Sequence, residues 1–275
     1  MTKLTFALNH MAALRLGLPQ FFALAKSLGI TGVEIRNDIA GKPILDGTPA
    51  PQVRRMAADA GVEIISINAL QRFNQWTPER KTEALALADY AKACGAQALV
   101  LVPLNDGSGR ADGERQGNVA TALAGLQPIL RERGITGLVE PLGFEICSLR
   151  SKREAVEAIA AIGGNAEFRV VHDTFHHHLA GEPALFPMMT GLVHISGVDD
   201  GRVAVADLRD PHRVLVDGGD TIGNIVQMRA LAAGGYRGPY SFEPFAREIC
   251  DREAPHDGIA ASMSFIGTQL LRSAA

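Results

Sequence analysis

RVVHDTFHHHLAGE, residues 169–182, begins as a β-branched apolar run and turns abruptly polar, with four histidines and one aspartate between positions 172 and 178. With Phe168 in front of it, the run reads as a buried strand, 168–174, whose C-terminal tip carries the polar groups. Alternation along a strand sends neighbours to opposite faces, so His172 and Asp173 point different ways. An affinity tag would sit at a terminus, and this run lies deep inside the chain. What Asp173 and the histidines do depends on the partners that other segments bring to them, and therefore on the fold.

Seven more runs share the shape: 4–9 (LTFALN), 32–37, 63–69, 98–104, 137–142, 192–198 and 240–245 (YSFEPF). Each is short, apolar and bounded by glycine, proline or polar residues, as strands of a buried parallel sheet are. Segments 18–28, 77–94, 114–133, 151–162, 220–233 and 254–272 carry apolar residues at helical steps. Thr77 before Pro78, Ser151 with Glu154, and Asp220 supply N-cap signals. Strands and helices alternate at roughly 30-residue intervals. The pattern predicts an α/β chain folded as a (β/α)8 TIM barrel, with residues 1–275 forming a single domain. The sixth unit is the weakest, because two prolines in 182–190 leave room for only a short helix there. An open doubly wound sheet would need a Gly-rich turn after the first strand, and NHMAALRLG (9–17) supplies none.

Composition narrows the function classes. A chain of 275 residues, 47% hydrophobic and 21% charged, has the makings of a large core. A net charge of −3 and a pI near 6.2 offer no field to draw nucleic acid or an anionic membrane, so neither is expected as a partner. Cys94, Cys147 and Cys250 lie far apart and are odd in number, which fits a reducing compartment better than a disulfide framework or a zinc ribbon. No signal peptide is read at the start, and no run reaches the length of about 18 apolar residues that spans a bilayer. The expected location is the cytoplasm; whether the chain forms a homo-oligomer is left open.

In a barrel of this kind, chemistry comes from the C-terminal ends of the strands. There the fifth run carries Glu140, the sixth Asp173, the seventh His194 and the eighth Glu243. A single acid at a strand end is commonly a salt bridge or a loop carboxylate. Four metal-capable groups on four successive strands are harder to explain that way. Three carboxylates and an imidazole converging in an apolar interior would repel one another, and a divalent cation relieves the conflict. Mostly oxygen donors with one nitrogen suit Mn²⁺, Mg²⁺, Co²⁺ or Zn²⁺ alike. His172 belongs to the opposite face and is expected to pack or make a structural hydrogen bond. His176 falls in the loop above the barrel mouth, within reach of a substrate or a ligand. His177 reads as a partly solvated loop residue, and for His178 that reading stays open. Glu34, Arg36 and Asn68 end the second and third strands and either bind a polyol or form a rim salt bridge, Glu34 with Arg36. Phe73 and Trp76 either wall a sugar ring or simply pack. Nothing around Cys147 activates a thiolate, and Asp199 and Asp200 read as solvated loop.

At these residues the chain resembles the xylose-isomerase-like barrels, a group that includes sugar isomerases, ketose 3-epimerases and enzymes of the endonuclease IV type. VEP (139–141), HDTFHHH (172–178), VHISGVDD (193–200) and SFEPF (241–245) carry the likeness. EIRND (34–38), NALQRFN (68–74), VPL (102–104) and RDPHRVLVDGGD (209–220) add softer matches that look most like the inosose isomerases. The resemblance implies that Glu140, Asp173, His194 and Glu243 bind one divalent metal ion and that Glu140 and Glu243 double as proton-transfer groups. It implies that His176 contacts substrate and that Arg213 donates to substrate oxygens. At position 200 the ketose epimerases carry an arginine, and here it is Asp200; Glu145 stands one residue short of their extra glutamate.

The expected activity is a metal-assisted shift of a ketone between adjacent carbons of a cyclic polyol, of the 2-keto-myo-inositol to 1-keto-D-chiro-inositol type, by proton transfer through an enediolate. The alternatives are a ketose 3-epimerase or hydroxypyruvate-type isomerase on the same site, an endonuclease-like phosphodiesterase, and a non-catalytic sugar-binding relative. The phosphodiesterase is disfavoured by the negative charge and by early strand ends that offer only Asn9, Glu34 and Asn68.

Overall fold

The structure, a computed structural model, describes residues 4–39 and 47–271. Eight parallel strands close into a barrel: β1 (Phe6–Asn9), β2 (Gly32–Arg36), β3 (Glu63–Gln71), β4 (Ala98–Val102), β5 (Thr136–Val139), β6 (Phe168–Asp173), β7 (Thr190–Ile195) and β8 (Tyr240–Phe242). Pairing of Phe6 with Tyr240 and Leu8 with Phe242 seals the cylinder. The expected (β/α)8 architecture is the one observed.

Alternation decides which side chains enter the barrel. Ala98 and Val100 of β4 pack with Leu138, Val171 and Leu192 in one small apolar cluster. Their neighbours Leu99, Leu101, Val139, Val170 and Val193 belong to the large core between sheet and helices. With a period of two, Glu140, Asp173 and His194 therefore face inward, one step above Leu138, Val171 and Leu192. Phe242 is part of the outer core, so Ser241 and Glu243 also face in. On β2, Val33 and Ile35 point outward, which turns Glu34 and Arg36 into the barrel.

The helices are α1 (Leu18–Ser27), α2 (Ala50–Ala60), α3 (Pro78–Cys94), α4 (Glu114–Arg133), α5 (Lys152–Ala161), α6 (Thr174–Ala180), α7 (Asn224–Ala233), the one-turn α8 (Arg247–Cys250) and α9 (His256–Leu271). Position 272, the expected end of the last helix, lies outside the described residues. Thr77 and Ser151 accept from the backbone N–H groups of Arg80 and Glu154, as cap residues should. Asp220 accepts from Asn224 N–H, so it caps α7 from outside instead of opening a helix at 220. Glu154 pairs with Arg115 on α4, while Glu182 accepts from the first N–H groups of α5.

Two elements depart from the sequence reading. Helix α2 is not among the segments named from the sequence; Pro49 and Pro51 stand at its N-cap and in its first turn, where a helix tolerates proline, and Gly61 stops it. Helix α6 starts directly behind Asp173, at 174, where a loop was expected, and 182–190 contains no helix. Asp173 Oδ1 accepts from His176 N–H at 2.9 Å, which caps α6, and Gly181 ends it in the left-handed conformation.

Candidate metal centre

Glu140, Asp173, His194 and Glu243 each offer a ligand atom, and these atoms all lie within 4.8 Å of one another. All four side chains are buried, from fully for His194 to 4% exposed for Glu140. His194 Nδ1 stands 2.8 Å from Glu140 Oε1, 3.1 Å from Glu243 Oε2 and 4.0 Å from Asp173 Oδ2. Strand register brings them together: Asp173 sits opposite His194, and His194 opposite Ser241.

The other ring nitrogen explains the histidine's orientation. His194 Nε2 meets Glu34 Oε2 at 3.2 Å. Glu34 is fully buried and accepts from Ser66 Oγ at 2.6 Å, Asn68 Nδ2 at 2.7 Å and Ser241 Oγ. With Nε2 turned toward Glu34, Nδ1 faces Glu140 and Glu243, where a bound cation would take the place of the proton that those carboxylates favour on the ring. This corrects two expectations. Glu34 is too deep to touch a polyol, and it does not pair with Arg36. Arg36 instead reaches Asp38 at 2.8 Å and Glu243 Oε1 at 3.0 Å.

Charge inside the barrel is finely divided. Burial pushes the Glu140 carboxyl up, only partly offset by His194. Burial also acts on Glu243, but His194, Arg213 and Arg36 outweigh it and hold that carboxyl well down. Glu34 is lowered as well, burial being overcome by His194. The imidazole itself is pushed up: burial opposes its charge, and Glu243, Glu34 and Glu140 favour it more strongly. The centre thus demands positive charge from whatever occupies it. Three carboxylates and one imidazole nitrogen, converging and buried, fit a single divalent cation, and the donor set suits manganese, magnesium, cobalt and zinc alike.

Above the four groups opens a cleft of about 340 Å³, lined among others by Asn68, Glu140, His176, Arg213 and Glu243. His176 is buried against Phe144 and Phe175, and its Nδ1 has no hydrogen-bond partner. Arg213 lies over the rings of both Phe175 and Phe245 and donates to Asp173 Oδ2 at 2.6 Å, Glu243 Oε2 at 3.1 Å and Ser196 Oγ at 3.0 Å. The expected arginine is therefore at the site, yet its guanidinium braces two of the converging carboxylates, Asp173 and Glu243. Asn9, noted only as a strand end, donates to Glu243 Oε1 at 3.1 Å. Phe73 lies in the core and Trp76 packs on α4 at Gly125, so neither walls the cleft. Asp199 is exposed, and Asp200 is tied to Arg202 and held at about 2 by that hydrogen bond.

His172 lies outside the barrel, as alternation requires, with Nε2 on Gln227 Oε1 at 2.9 Å. Lys152 Nζ sits 3.1 Å from His172 Nδ1 and 2.6 Å from His177 Nδ1. His177 is thus a partner in a buried cluster, not a loop residue. Lys152 is the participant that the sequence reading missed.

A family model described as a xylose isomerase-like TIM barrel matches residues 22–269. A crystal structure of a xylose isomerase domain containing protein from Salmonella typhimurium LT2 is 36% identical, with TM-score 0.89, covering 98% of this chain and 99% of that one. The IolI protein, solved with a bound zinc atom, is 20% identical with TM-score 0.85 over 98% and 99% of the two chains. L-ribulose 3-epimerase is 16% identical with TM-score 0.73 over 99% and 96%. Among curated proteins, tRNA pseudouridine synthase D of Anaeromyxobacter sp. (strain Fw109-5) is 38% identical over 71 residues, 25% of this chain. That stretch spans only 19% of the synthase's length.

Proposed function

The chain belongs to the xylose isomerase-like TIM barrel family, and from that premise we propose that it is a divalent-metal-dependent isomerase that moves a ketone between adjacent carbons of a cyclic polyol. The observation that carries the reading is the convergence of Glu140, Asp173, His194 and Glu243 within 4.8 Å at the base of an open cleft. These four residues would hold the ion. When bound, the cation supplies Lewis acidity to the ketone and positive charge against the oxyanion of the enediolate.

The protein's own residues account for the rest. Moving the ketone requires a proton to leave the carbon bearing the neighbouring hydroxyl and a proton to return at the former carbonyl carbon. Glu140 and Glu243, on strands β5 and β8, line the cleft from different sides and are the two groups for these transfers. Arg36, Arg213 and Asn9 hold Glu243 in place, which fixes the direction of its carboxylate. His176, whose Nδ1 has no partner, and Asn68 line the cleft and are the residues we assign to substrate hydroxyls. Small-molecule substrate, not nucleic acid, fits a chain with net charge −3.

Incubation of metal-loaded protein with 2-keto-myo-inositol in deuterated water, followed by NMR, tests the reading. The expected result is 1-keto-D-chiro-inositol with deuterium at the former carbonyl carbon. Absence of exchange there, with exchange at C3 of a ketose in the same panel, would replace it by a 3-epimerase.

A further inference from the structure

Beside the metal cleft, on the same end of the barrel, lies a second chamber of about 520 Å³. Asn105, Phe144 and Asp210 line both spaces, so the two are immediate neighbours. The remaining surface is largely apolar and includes Ile146, Leu179, Val205 and Leu208. Leu208 is buried with Phe175, Val198 and Ile222 in a small cluster of its own, and Phe144 and Leu179 pack against it. The wall is therefore supported from behind and does not need a ligand to form. Ile146 and Val205, in contrast, keep 49% and 46% of their surface exposed.

Charge does not define the chamber. Arg150 and Arg209 are matched by Glu145 and Asp210 among the lining residues. The guanidinium of Arg150 donates to the carbonyls of Gly143 and Leu179, and that of Arg209 to those of Ala206 and Leu208. No net charge is left to select a phosphate, a carboxylate or an ammonium group. The metal cleft alone, at about 340 Å³, is at the low end of small-molecule sites, which run from roughly 300 to 1,000 Å³. It has room for a sugar-sized ring and leaves the apolar chamber unused.

We infer that the chamber takes an uncharged apolar substituent, such as an aryl group, carried by the same molecule whose ring occupies the metal cleft. The inference rests on the sugar-site reading proposed above. It makes the preferred substrate a ring-substituted keto-polyol, of which an unsubstituted inosose is the truncated member. Binding energy from the substituent would then be available to orient the ring over Glu140 and Glu243.

Titration calorimetry on the Mn²⁺-loaded full chain, with methyl and phenyl β-D-glucoside as inert probes, tests it. Burial of the phenyl ring should make its glucoside bind at least about tenfold tighter than the methyl compound. Ile146→Asp and Val205→Asp, both at exposed positions, should erase that advantage and leave the methyl glucoside unaffected. Equal affinities in the parent protein, no binding of either probe, or a phenyl advantage that survives both substitutions overturns the inference. So does light scattering that shows Ile146→Asp splitting a dimer, because the chamber would then be a contact between copies. A phenyl advantage without proton exchange on any keto-polyol would keep the chamber and remove the isomerase reading.

Discussion

Glu34 shows most clearly how the site is held. Its carboxylate gathers two serine hydroxyls, the Asn68 amide and the far nitrogen of His194. Removing its charge while keeping its shape should leave the ring free to turn or to change tautomer. Glu34→Gln is therefore expected to weaken Mn²⁺ binding by about 10–100-fold in a calorimetric titration; unchanged affinity would show that the ring is oriented by something else. Glu243→Gln should leave the fold intact and lower kcat by at least about 10²-fold, and near-parental turnover would remove it from proton transfer. The four converging groups were legible in the sequence because each follows an apolar run at a strand end. The role of Glu34 was not, because alternation gives the face of a residue and not its depth. Its partner His194 also lies on the opposite side of the barrel, 160 positions along the chain. Arg213 was found by resemblance alone; no local pattern says that an arginine will lie over two phenylalanine rings.

At the scale of elements, β6 and α6 form one unit with two functions. Asp173 gives one oxygen to the helix cap and turns the other toward Arg213, so the helix that carries His176 is anchored to the candidate metal centre itself. The sequence carries the cap signal, Asp followed by a short amphipathic run, but the histidine triplet hides it. The loop after β5 must also come close to α6: a side chain at Gly143 would run into the carbonyl of His176 and the side chain of Leu179. Gly143→Ala is expected to cost about 1–3 kcal/mol of stability in urea unfolding, and a variant as stable as the parent would contradict the close fit. Behind α6, burial and then the charge of Lys152 push His177 down to about 4 from an ordinary 6.5. Burial lowers Lys152 itself to about 8 from 10.5. In both cases the folded protein binds fewer protons than the unfolded chain within the window, so stability rises with pH there. The histidine contribution is complete above pH 6.5 and is lost as pH falls through 4; the lysine penalty is relieved between pH 8 and 10.5. Urea midpoints from pH 4 to 7.5 should fall on the acid side, and His177→Asn should make that arm shallower. An identical slope in the variant would mean that His177 is not held neutral by its surroundings.

For the whole molecule, eight strands and a closed cylinder could be read from apolar runs and their spacing, since a parallel sheet buried on both sides leaves that mark on every strand. Helix α2, with Pro49 and Pro51 at its start, was not among the segments named from the sequence, and the chamber beside the cleft is built from three loops and Leu179 of α6, which share no sequence pattern. Among the described residues, no helix is long and apolar enough to cross a membrane. A cation bound only by the folded barrel must also stabilise it, by about 2.7 kcal/mol at a free concentration of 100 Kd. Chelation should therefore lower the melting temperature and abolish activity together, and restored metal should return both. The most direct test of the central claim is anomalous X-ray scattering from a crystal grown with Mn²⁺ or Zn²⁺. One strong peak is expected, roughly 2.0–2.6 Å from Glu140, Asp173, His194 and Glu243. A peak bound elsewhere, or none at these four residues in a metal-saturated crystal, would contradict it.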